Sequence, residues 1–378
     1  MKTRVLFMIH DLMHGGAEKV LVNLVNNMDK EKYDITVLTL FDVGVNKQFL
    51  GEHIHYRTVL RRMFRGNRYV QKIFSPETLY RFCVKEEYDI LVAYLEGTCT
   101  RIIGGCPDPK VIKIGWRHIV EDPKEFLRCY RSMEEAQRIH QKLDKVVGVS
   151  ETVIEAFEEV SGLKGLSVVK YNTNETEKIK KLSQEEVTNP NFCPEEMLSF
   201  IGVGKVCPRK GFMRLAYAHK RLWDEGYRYR IYVLGVGEER PTIEKYLSQN
   251  HLENSFVFLG YDTNPYKYVA RCDLFVCPSF VEGFSTAATE ALVVGTPVLT
   301  TLCSGMKEML GENEYGYIVD NSEEGIYQGM KYLLDHRDEL DHYTKQAEER
   351  GKYFSMERTV QAVQEMFDEL IGRRNENN

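Results

Sequence analysis

Short runs of β-branched and other apolar residues alternate with amphipathic helical patterns from one end of the chain to the other. This alternation is typical of parallel sheets that are covered by helices. In the first half, the predicted strands are Val5–Ile9, Ile35–Leu40, Ile90–Tyr94, Val111–Ile114, Val146–Val149 and Ser167–Tyr171. In the second half, they are Leu198–Val203, Arg230–Leu234, Phe256–Leu259, Leu274–Cys277 and Val298–Thr300. The pattern predicts an α/β protein with two Rossmann-like domains facing each other across a cleft.

The boundaries follow from where the strand pattern stops. A polar stretch rich in Asn, Thr, Glu and Lys lies between the two halves, and we predict a linker at 173–196. The predicted domains are therefore 1–172 and 197–355. From Met356 to Ile371 apolar residues recur at helical spacing, so residues 356–378 are predicted as a C-terminal helix and tail that packs back on the first domain.

Composition narrows the class of protein. The chain has 378 residues, of which 43% are hydrophobic and 28% charged, enough for two globular cores. A net charge of -6 disfavours a nucleic-acid partner. Nine cysteines are scattered without a CxxC pair, which indicates a reduced, cytoplasmic setting without structural zinc. No apolar run reaches membrane-spanning length, so we expect a soluble protein or one that lies on a membrane surface.

Two glycines follow the first predicted strand, in His14-Gly15-Gly16-Ala17-Glu18, just before a helix predicted around Val20–Val25. Such glycines allow a ligand to approach the backbone, and a helix N-terminus favours an anion. The same residues also occur in α/β turns that bind nothing. The full G-x-G-x-x-G spacing is missing, which disfavours a dinucleotide site.

Three cations follow the first strand of the second domain. Lys205, Arg209 and Lys210 lie in Gly202-Val203-Gly204-Lys205-Val206-Cys207-Pro208-Arg209-Lys210-Gly211-Phe212, at the strand end where α/β sheets bind ligands. A pyrophosphate is the partner that this charge favours. The alternative is a solvated basic loop.

Two carboxylates are placed on one short predicted helix. Glu282 lies just before its N-terminus and Glu290 about two turns inside, in VEGFSTAATEALVVGTPV. A phosphate can bind at the N-terminus while each carboxylate binds sugar hydroxyls, which suits a nucleotide sugar. The alternative is a helix cap followed by a solvated glutamate. His118 follows the predicted strand Val111–Ile114 and is a further candidate, although a lone histidine is more often structural.

Together these motifs resemble family 4 retaining glycosyltransferases of the GT-B fold. The resemblance is carried by GGAE, Gly-Lys-Val followed by Arg-Lys-Gly, VLGVGEER, LGY, the block CPSFVEGFSTAATEAL and GTPV, and it covers nearly the whole chain. It implies that Glu290 binds the ribose of the nucleotide. It further implies that Glu282 binds the donor sugar, with help from backbone amides of Gly283, Phe284, Ser285 and Thr286.

The resemblance also assigns the charged groups. Lys210 would neutralise the diphosphate, Gly16 would contact phosphate or sugar through its backbone, and His118 would contact the donor sugar. Lys205 stands where the family usually has Arg, so the bidentate contact is lost or passes to Arg209. No Asp-x-Asp motif is present, and we expect catalysis without a metal. We expect no cofactor besides the nucleotide-sugar donor, for which a UDP-sugar is the leading choice.

The expected reaction is sugar transfer, with retention, to a carbohydrate or lipid-linked acceptor in polysaccharide or glycolipid assembly. A non-catalytic GT-B subunit and a nicotinamide-dependent oxidoreductase are the alternatives. The stretch Val59–Phe74 adds a membrane hypothesis, because a helix there would oppose basic and apolar faces. The basic face would hold Arg61, Arg62, Arg65, Arg68 and Lys72, and the apolar face Leu60, Met63, Phe64, Val70, Ile73 and Phe74. Ordinary packing on the first domain explains this pattern equally well.

Overall fold

The computed structural model describes residues 2–13, 15–64, 66 and 71–376 of the chain. It divides into two compact units, one formed by Met1–Thr173 with Met356–Asn378 and the other by Asn174–Ser355. Each unit contains one parallel β-sheet with helices between its strands. The predicted α/β class with two Rossmann-like halves is confirmed.

The first unit is built on a seven-stranded sheet in the order β3-β2-β1-β4-β5-β6-β7. Its strands are β1 Thr3–Ile9, β2 Tyr33–Phe41, β3 His55–Leu60, β4 Ile90–Ala93, β5 Ile112–Arg117, β6 Lys145–Gly148 and β7 Ser167–Val169. Its helices include α1 Gly16–Asn27, α2 Pro76–Cys83, α3 Thr98–Ile103, α4 Pro123–Phe126, α5 Met133–His140 and α6 Glu151–Ser161. The central strands β1 and β4 are almost fully buried because helices cover the sheet.

The second unit is built on a six-stranded sheet in the order β10-β9-β8-β11-β12-β13. Its strands are β8 Ser199–Val203, β9 Arg230–Leu234, β10 Phe256–Gly260, β11 Leu274–Cys277, β12 Val298–Thr301 and β13 Tyr317–Val319. Its helices include α7 Thr176–Ser183, α8 Phe212–Asp224, α9 Arg240–Gln249, α10 Tyr266–Val269, α11 Thr286–Val293, α12 Met306–Leu310, α13 Glu323–Asp335 and α14 Arg337–Tyr353. Strands β8 and β11 are neighbours, so the loops that follow them leave the same edge side by side.

The segment predicted as a linker, 173–196, is not uniformly irregular. Residues Thr176–Ser183 form α7, and the division of the chain into units falls between Thr173 and Asn174. Ile179 of α7 is buried with Tyr266 and Val293 of the second unit. The polar composition hid this helix, because four of its eight residues are exposed Glu or Lys.

The C-terminal helix α15, Met356–Glu376, belongs to the first unit, as predicted. Phe367 is fully buried, and its ring lies 6.2 Å from that of Phe7 and 5.9 Å from that of Tyr33. Asp368 accepts hydrogen bonds from Lys32 at 2.5 Å and from Tyr33 at 3.3 Å. Strands β1 and β2 thus both supply partners to the same turn of α15.

The prediction of a helix over Val59–Phe74 is wrong for its first residues. Val59 and Leu60 end strand β3, which pairs with β2, and residues 61–64 are irregular. Residues 71–73 are helical, while Arg65, Arg68 and Val70 lie outside the described residues. Pairing with a neighbouring strand outweighs the helical periodicity of a short segment here. Among the described helices, none is both long and apolar enough to cross a membrane.

Candidate active site

The loop after β8 is shaped to bring Lys210 to the edge of the second sheet. Pro208–Lys210 forms a single 3-10 turn, and Gly211 follows with φ +70° before α8 begins. A Cβ atom on Gly211 would lie 1.9 Å from the carbonyl oxygen of Pro278, so this residue must be glycine for two reasons. The close approach places the loop after β8 directly against the loop after β11.

Lys210 and Glu282 meet between these two loops. The Nζ atom of Lys210 donates to Oε1 of Glu282 at 2.6 Å, and Oγ of Ser279 donates to the same oxygen at 2.6 Å. Glu282 is buried, with only 6% of its surface exposed. Burial alone would lower the pKa of Lys210, but the neighbouring Glu282 carboxylate outweighs it and raises that pKa above its ordinary value. Lys210 is therefore fully charged at neutral pH.

Helix α11 begins four residues after Glu282. Ser285 is its N-cap, and its Oγ accepts from the backbone N–H of Ala288 at 3.3 Å. Thr286 is the first helical residue. The carbonyl oxygen of Gly283 accepts from Oγ of Ser304 at 3.1 Å, and the ring of buried Phe284 lies 5.5 Å from that of Phe354. The turn before the helix is thus fixed from both sides.

Glu290 is the fifth residue of α11, so it lies about one turn inside the helix rather than the predicted two. Only 7% of its surface is exposed, and Oε1 accepts a hydrogen bond from the hydroxyl of Tyr266 at 3.3 Å. The alternative of a solvated surface glutamate is therefore wrong. A buried carboxylate needs polar partners, and the hydroxyl of Tyr266 is one of them.

The other two cations of the basic loop are placed differently. Lys205 is exposed and forms an ion pair with Glu238 at 3.6 Å. The side chain of Arg209 is also exposed, while its carbonyl oxygen accepts from the backbone N–H of Phe280 at 2.9 Å. Among the three predicted phosphate ligands, Lys210 is the one that contacts Glu282.

The predicted residues of the first unit, Gly16 and His118, lie at the carboxyl ends of its strands. Gly16 is the first residue of α1. His118 follows β5; its backbone N–H donates to Oε2 of Glu96 at 3.1 Å, and its ring centre lies 4.9 Å from that of Tyr94. Its Nε2 is buried without a hydrogen-bond partner among the described residues. Burial lowers the pKa of His118, so the imidazole is neutral at neutral pH.

Ionisable groups surround this edge of the first sheet. His10 follows β1, and its Nδ1 lies 2.7 Å from Oδ2 of Asp11. The side chain of Glu18 folds back onto Gly15. Its carboxylate lies so close that a Cβ atom added to Gly15 would be 1.8 Å from Oε2 of Glu18. Burial raises the pKa of Glu18 to about 7, and the charges of Asp11 and Glu96 add to this effect while His10 opposes it.

Some residues of the site were not predicted from the sequence. Ser279, which binds Glu282, lies in the block CPSFVEGFSTAATEAL but has no role assigned from the sequence. Tyr266 and Glu96 lie in no recognisable motif. Glu18 belongs to the motif His14-Gly15-Gly16-Ala17-Glu18, but only the glycines of that motif indicate a function from the sequence. The spacing of Ser279, three residues before Glu282, is the signal that could have identified it.

We predict that Glu18→Gln changes how stability depends on pH. Between pH 4.5, the ordinary pKa, and about 7, the unfolded carboxylate is ionised while the folded carboxyl keeps its proton. Wild-type stability should therefore fall across this window, and the glutamine variant should lack that fall. Thermal melts from pH 4 to pH 8 measure the difference, with exposed Glu31→Gln as the matched control. Parallel pH profiles for wild type and Glu18→Gln would contradict the prediction.

The second unit matches a known family model. Residues 183–350 match the model described as glycosyl transferases group 1. A relative from Campylobacter jejuni, N-acetylgalactosamine-N,N'-diacetylbacillosaminyl-diphospho-undecaprenol 4-alpha-N-acetylgalactosaminyltransferase, is 26% identical over 92% of this chain and 94% of its own. The lipopolysaccharide core biosynthesis glycosyltransferase LpsE of Rhizobium meliloti is 22% identical over 85% of this chain and 86% of its own.

Solved structures share the fold of the whole chain. Anabaena HepE in complex with UDP-glucose aligns with a TM-score of 0.76 at 17% identity, over 97% of this chain and 99% of its own. Sucrose-phosphate synthase from Thermosynechococcus elongatus aligns with a TM-score of 0.79 at 15% identity, over 98% and 100%. These findings confirm the GT-B fold and the resemblance to glycosyltransferases that the sequence motifs indicated.

Proposed function

We propose that this chain, which is a glycosyltransferase of the GT-B fold, transfers a sugar with retention from a UDP-sugar to an acceptor hydroxyl. The observation that carries the proposal is the contact of Lys210 with Glu282 beside the N-terminus of α11. The fixed cation and the helix N-terminus suit the diphosphate of a nucleotide sugar. The buried carboxylates of Glu282 and Glu290 suit its sugar hydroxyls and its ribose, respectively.

The charged groups suit a departing diphosphate. A lysine ammonium has three donors, and Glu282 accepts from one of them, so two remain for phosphate oxygens. The N-terminus of α11 adds positive potential from its peptide dipoles. Fixed charges of this kind stabilise a leaving group without reorganisation, so catalysis is mainly electrostatic. Lys205 and Arg209 are exposed and add charge to the same loop.

In the proposed reaction, the bond from the anomeric carbon to the diphosphate oxygen breaks and a bond to the acceptor oxygen forms on the same face. The departing phosphate oxygen takes the proton of the acceptor hydroxyl. Glu282 binds hydroxyls of the donor sugar, with the amides from Gly283 to Thr286, and Glu290 binds the ribose. We assign His118 and Gly16 to donor contacts, as the family resemblance implies; a neutral His118 is compatible with positive charge at the reacting carbon.

The relatives support the choice of substrates. HepE was solved with UDP and with UDP-glucose, which favours a UDP-sugar donor. The Campylobacter relative is named for a saccharide linked to undecaprenol by a diphosphate. We therefore propose a lipid-linked acceptor in polysaccharide or glycolipid assembly. An oxidoreductase is disfavoured by the missing dinucleotide motif, and a non-catalytic subunit is disfavoured because Lys210, Glu282 and Glu290 are all present.

The division of labour between the two glutamates tests the proposal. Wild type should hydrolyse or transfer from a UDP-sugar with retained configuration, and UDP should bind where NAD does not. Glu290→Ala should weaken UDP binding about 10-fold to 100-fold, because charged hydrogen bonds contribute about 1.5–3 kcal/mol. Glu282→Ala should leave UDP affinity nearly unchanged and reduce turnover. Calorimetry and product analysis by NMR measure both effects; equal losses of UDP affinity would refute the division.

Lys210 should matter more than any added metal. Lys210→Ala should reduce kcat by about 100-fold to 1,000-fold, the range seen when one fixed donor to a developing charge is removed. Treatment with EDTA should leave turnover unchanged, because protein cations fill the electrostatic role. Exposed Lys205→Ala is the matched control and should cost far less. Activity abolished by EDTA and restored by magnesium or manganese would refute metal independence.

A membrane contact near residues 59–74 is a separate part of the proposal. The structure does not form one amphipathic helix over residues 59–74. The described part of this region nevertheless has exposed apolar side chains, at Met63, Phe64, Ile73 and Phe74. They lie beside cations in the sequence, namely Arg61, Arg62 and Lys72. Exposed aromatic and aliphatic groups beside basic residues are typical of surfaces that bind anionic lipid.

Vesicle co-sedimentation tests this contact. Wild type should bind vesicles that contain anionic lipid, and binding should fall as salt rises, since the Debye length shrinks. Arg61→Glu with Arg62→Glu should abolish binding. Lys178→Glu with Lys181→Glu, the same charge change on helix α7 of the second unit, should have little effect. If wild type ignores anionic vesicles at low salt, the region is ordinary surface and a soluble acceptor becomes the better choice.

A further inference from the structure

A buried arginine lies beneath the loop that carries Glu282. Arg214 is the third residue of α8, and only 5% of its surface is exposed. Its Nε donates to the carbonyl oxygen of Pro278 at 2.7 Å, its Nη1 to Oδ1 of Asn321 at 2.8 Å and its Nη2 to Oγ1 of Thr301 at 3.4 Å. These three partners come from different parts of the second unit, after β11, at the end of β12 and after β13.

Arg214, Thr301 and Asn321 together hold the loop from Pro278 to Phe280. Arg214 binds the carbonyl oxygen of Pro278, Oγ1 of Thr301 donates to that of Ser279 at 2.6 Å, and Nδ2 of Asn321 donates to that of Phe280 at 2.8 Å. Three consecutive carbonyl groups are thus fixed by Arg214 or by side chains that Arg214 itself binds. The guanidinium also lies 3.8 Å from the centre of the Phe280 ring, a close cation–π contact.

This arrangement is unusual for a buried cation. Among the described residues, the guanidinium of Arg214 forms hydrogen bonds to neutral oxygens and stacks on a ring, but it forms no ion pair with a carboxylate. Burying a charge without a counterion is costly, so stability alone is a poor reason for an arginine here. The rigid fork of its five donors is what allows one side chain to hold several loops at once.

The loop that Arg214 holds determines where Glu282 lies. Ser279, whose carbonyl group Thr301 fixes, also donates through Oγ to the Glu282 carboxylate. Phe280 is fixed at both its N–H and its carbonyl group, two residues before Glu282. We propose that Arg214 is a positioning residue, which sets the Glu282 carboxylate for the donor sugar without touching substrate. This inference rests on the proposed function, because it assigns Glu282 to the reacting sugar.

A double-mutant cycle with Glu282 separates positioning from simple structural support. Arg214→Met should reduce kcat by about 10-fold to 100-fold, since a misplacement of about 1 Å costs on this order, while UDP affinity is unchanged. In the Glu282→Gln background the same substitution should cost little, because its target is already disabled. Arg214→Lys should recover part of the loss. Losses that simply multiply in the double variant would overturn the inference.

The control is Arg221→Met on the same helix. Arg221 is exposed, pairs with Glu324 at 2.6 Å and lies 3.7 Å from the centre of the Tyr327 ring, so it makes similar contacts away from the loop. The substitution Arg221→Met should leave kcat unchanged. Should Arg214→Met fail to fold, Asn321→Ala replaces it, because it removes the bonds to Arg214 and to the Phe280 carbonyl group alone.

Hydrogen exchange gives a readout that does not need activity. Arg214→Met should speed exchange in peptides that cover residues 278–284 and leave those of helix α14 unchanged. Arg221→Met should leave both sets of peptides unchanged. If wild type transfers no sugar but the exchange pattern appears, the proposed function fails and the positioning of the loop stands. If exchange in residues 278–284 is unaltered in Arg214→Met, the positioning inference fails whatever the activity.

Discussion

The contact between Lys210 and Glu282 is the interaction on which the second unit's site depends. Each group alone would pay heavily for leaving water, and together they satisfy one another at 2.6 Å. The pair joins loops from two neighbouring strands, which only a parallel sheet brings out at the same edge. Gly211, Ser279 and the cap at Ser285 then follow as the details that let this pair form. The chemistry of the site is therefore a consequence of strand order.

Burial explains which parts of the fold could be predicted from sequence. Strands such as β1 and β8 are buried on both faces, and their apolar runs stand out. The strands that were missed, His55–Leu60 and Tyr317–Val319, are partly exposed edge strands; the first has a mixed composition and the second is only three residues long. Their formation depends on a neighbour in space rather than on their own residues, which is also why Val59 and Leu60 were assigned to a helix. Local pattern carries no information about that neighbour.

The candidate site shows the same limit at the scale of side chains. Glu282, Glu290 and Lys210 were found because they belong to motifs with fixed spacing. The contact of Lys210 with Glu282, and the pairing of Lys205 with Glu238 instead, depend on how loops approach each other. Arg214 has no assigned role in the sequence motifs, and one of its partners, Asn321, lies 107 residues further along the chain. Sequence identifies the candidate groups, and tertiary structure decides which of them come into contact.

Helix α15 is synthesised long after the rest of the unit to which it belongs. The first unit is split, because its last helix is encoded after the entire second unit. As the ribosome releases the chain from the N-terminus, the second unit is contiguous and can fold while α15 is still being made. The surface around Phe7 and Tyr33 stays uncovered until Phe367 emerges. Part of the core of the nascent first unit therefore stays uncovered until α15 has been synthesised.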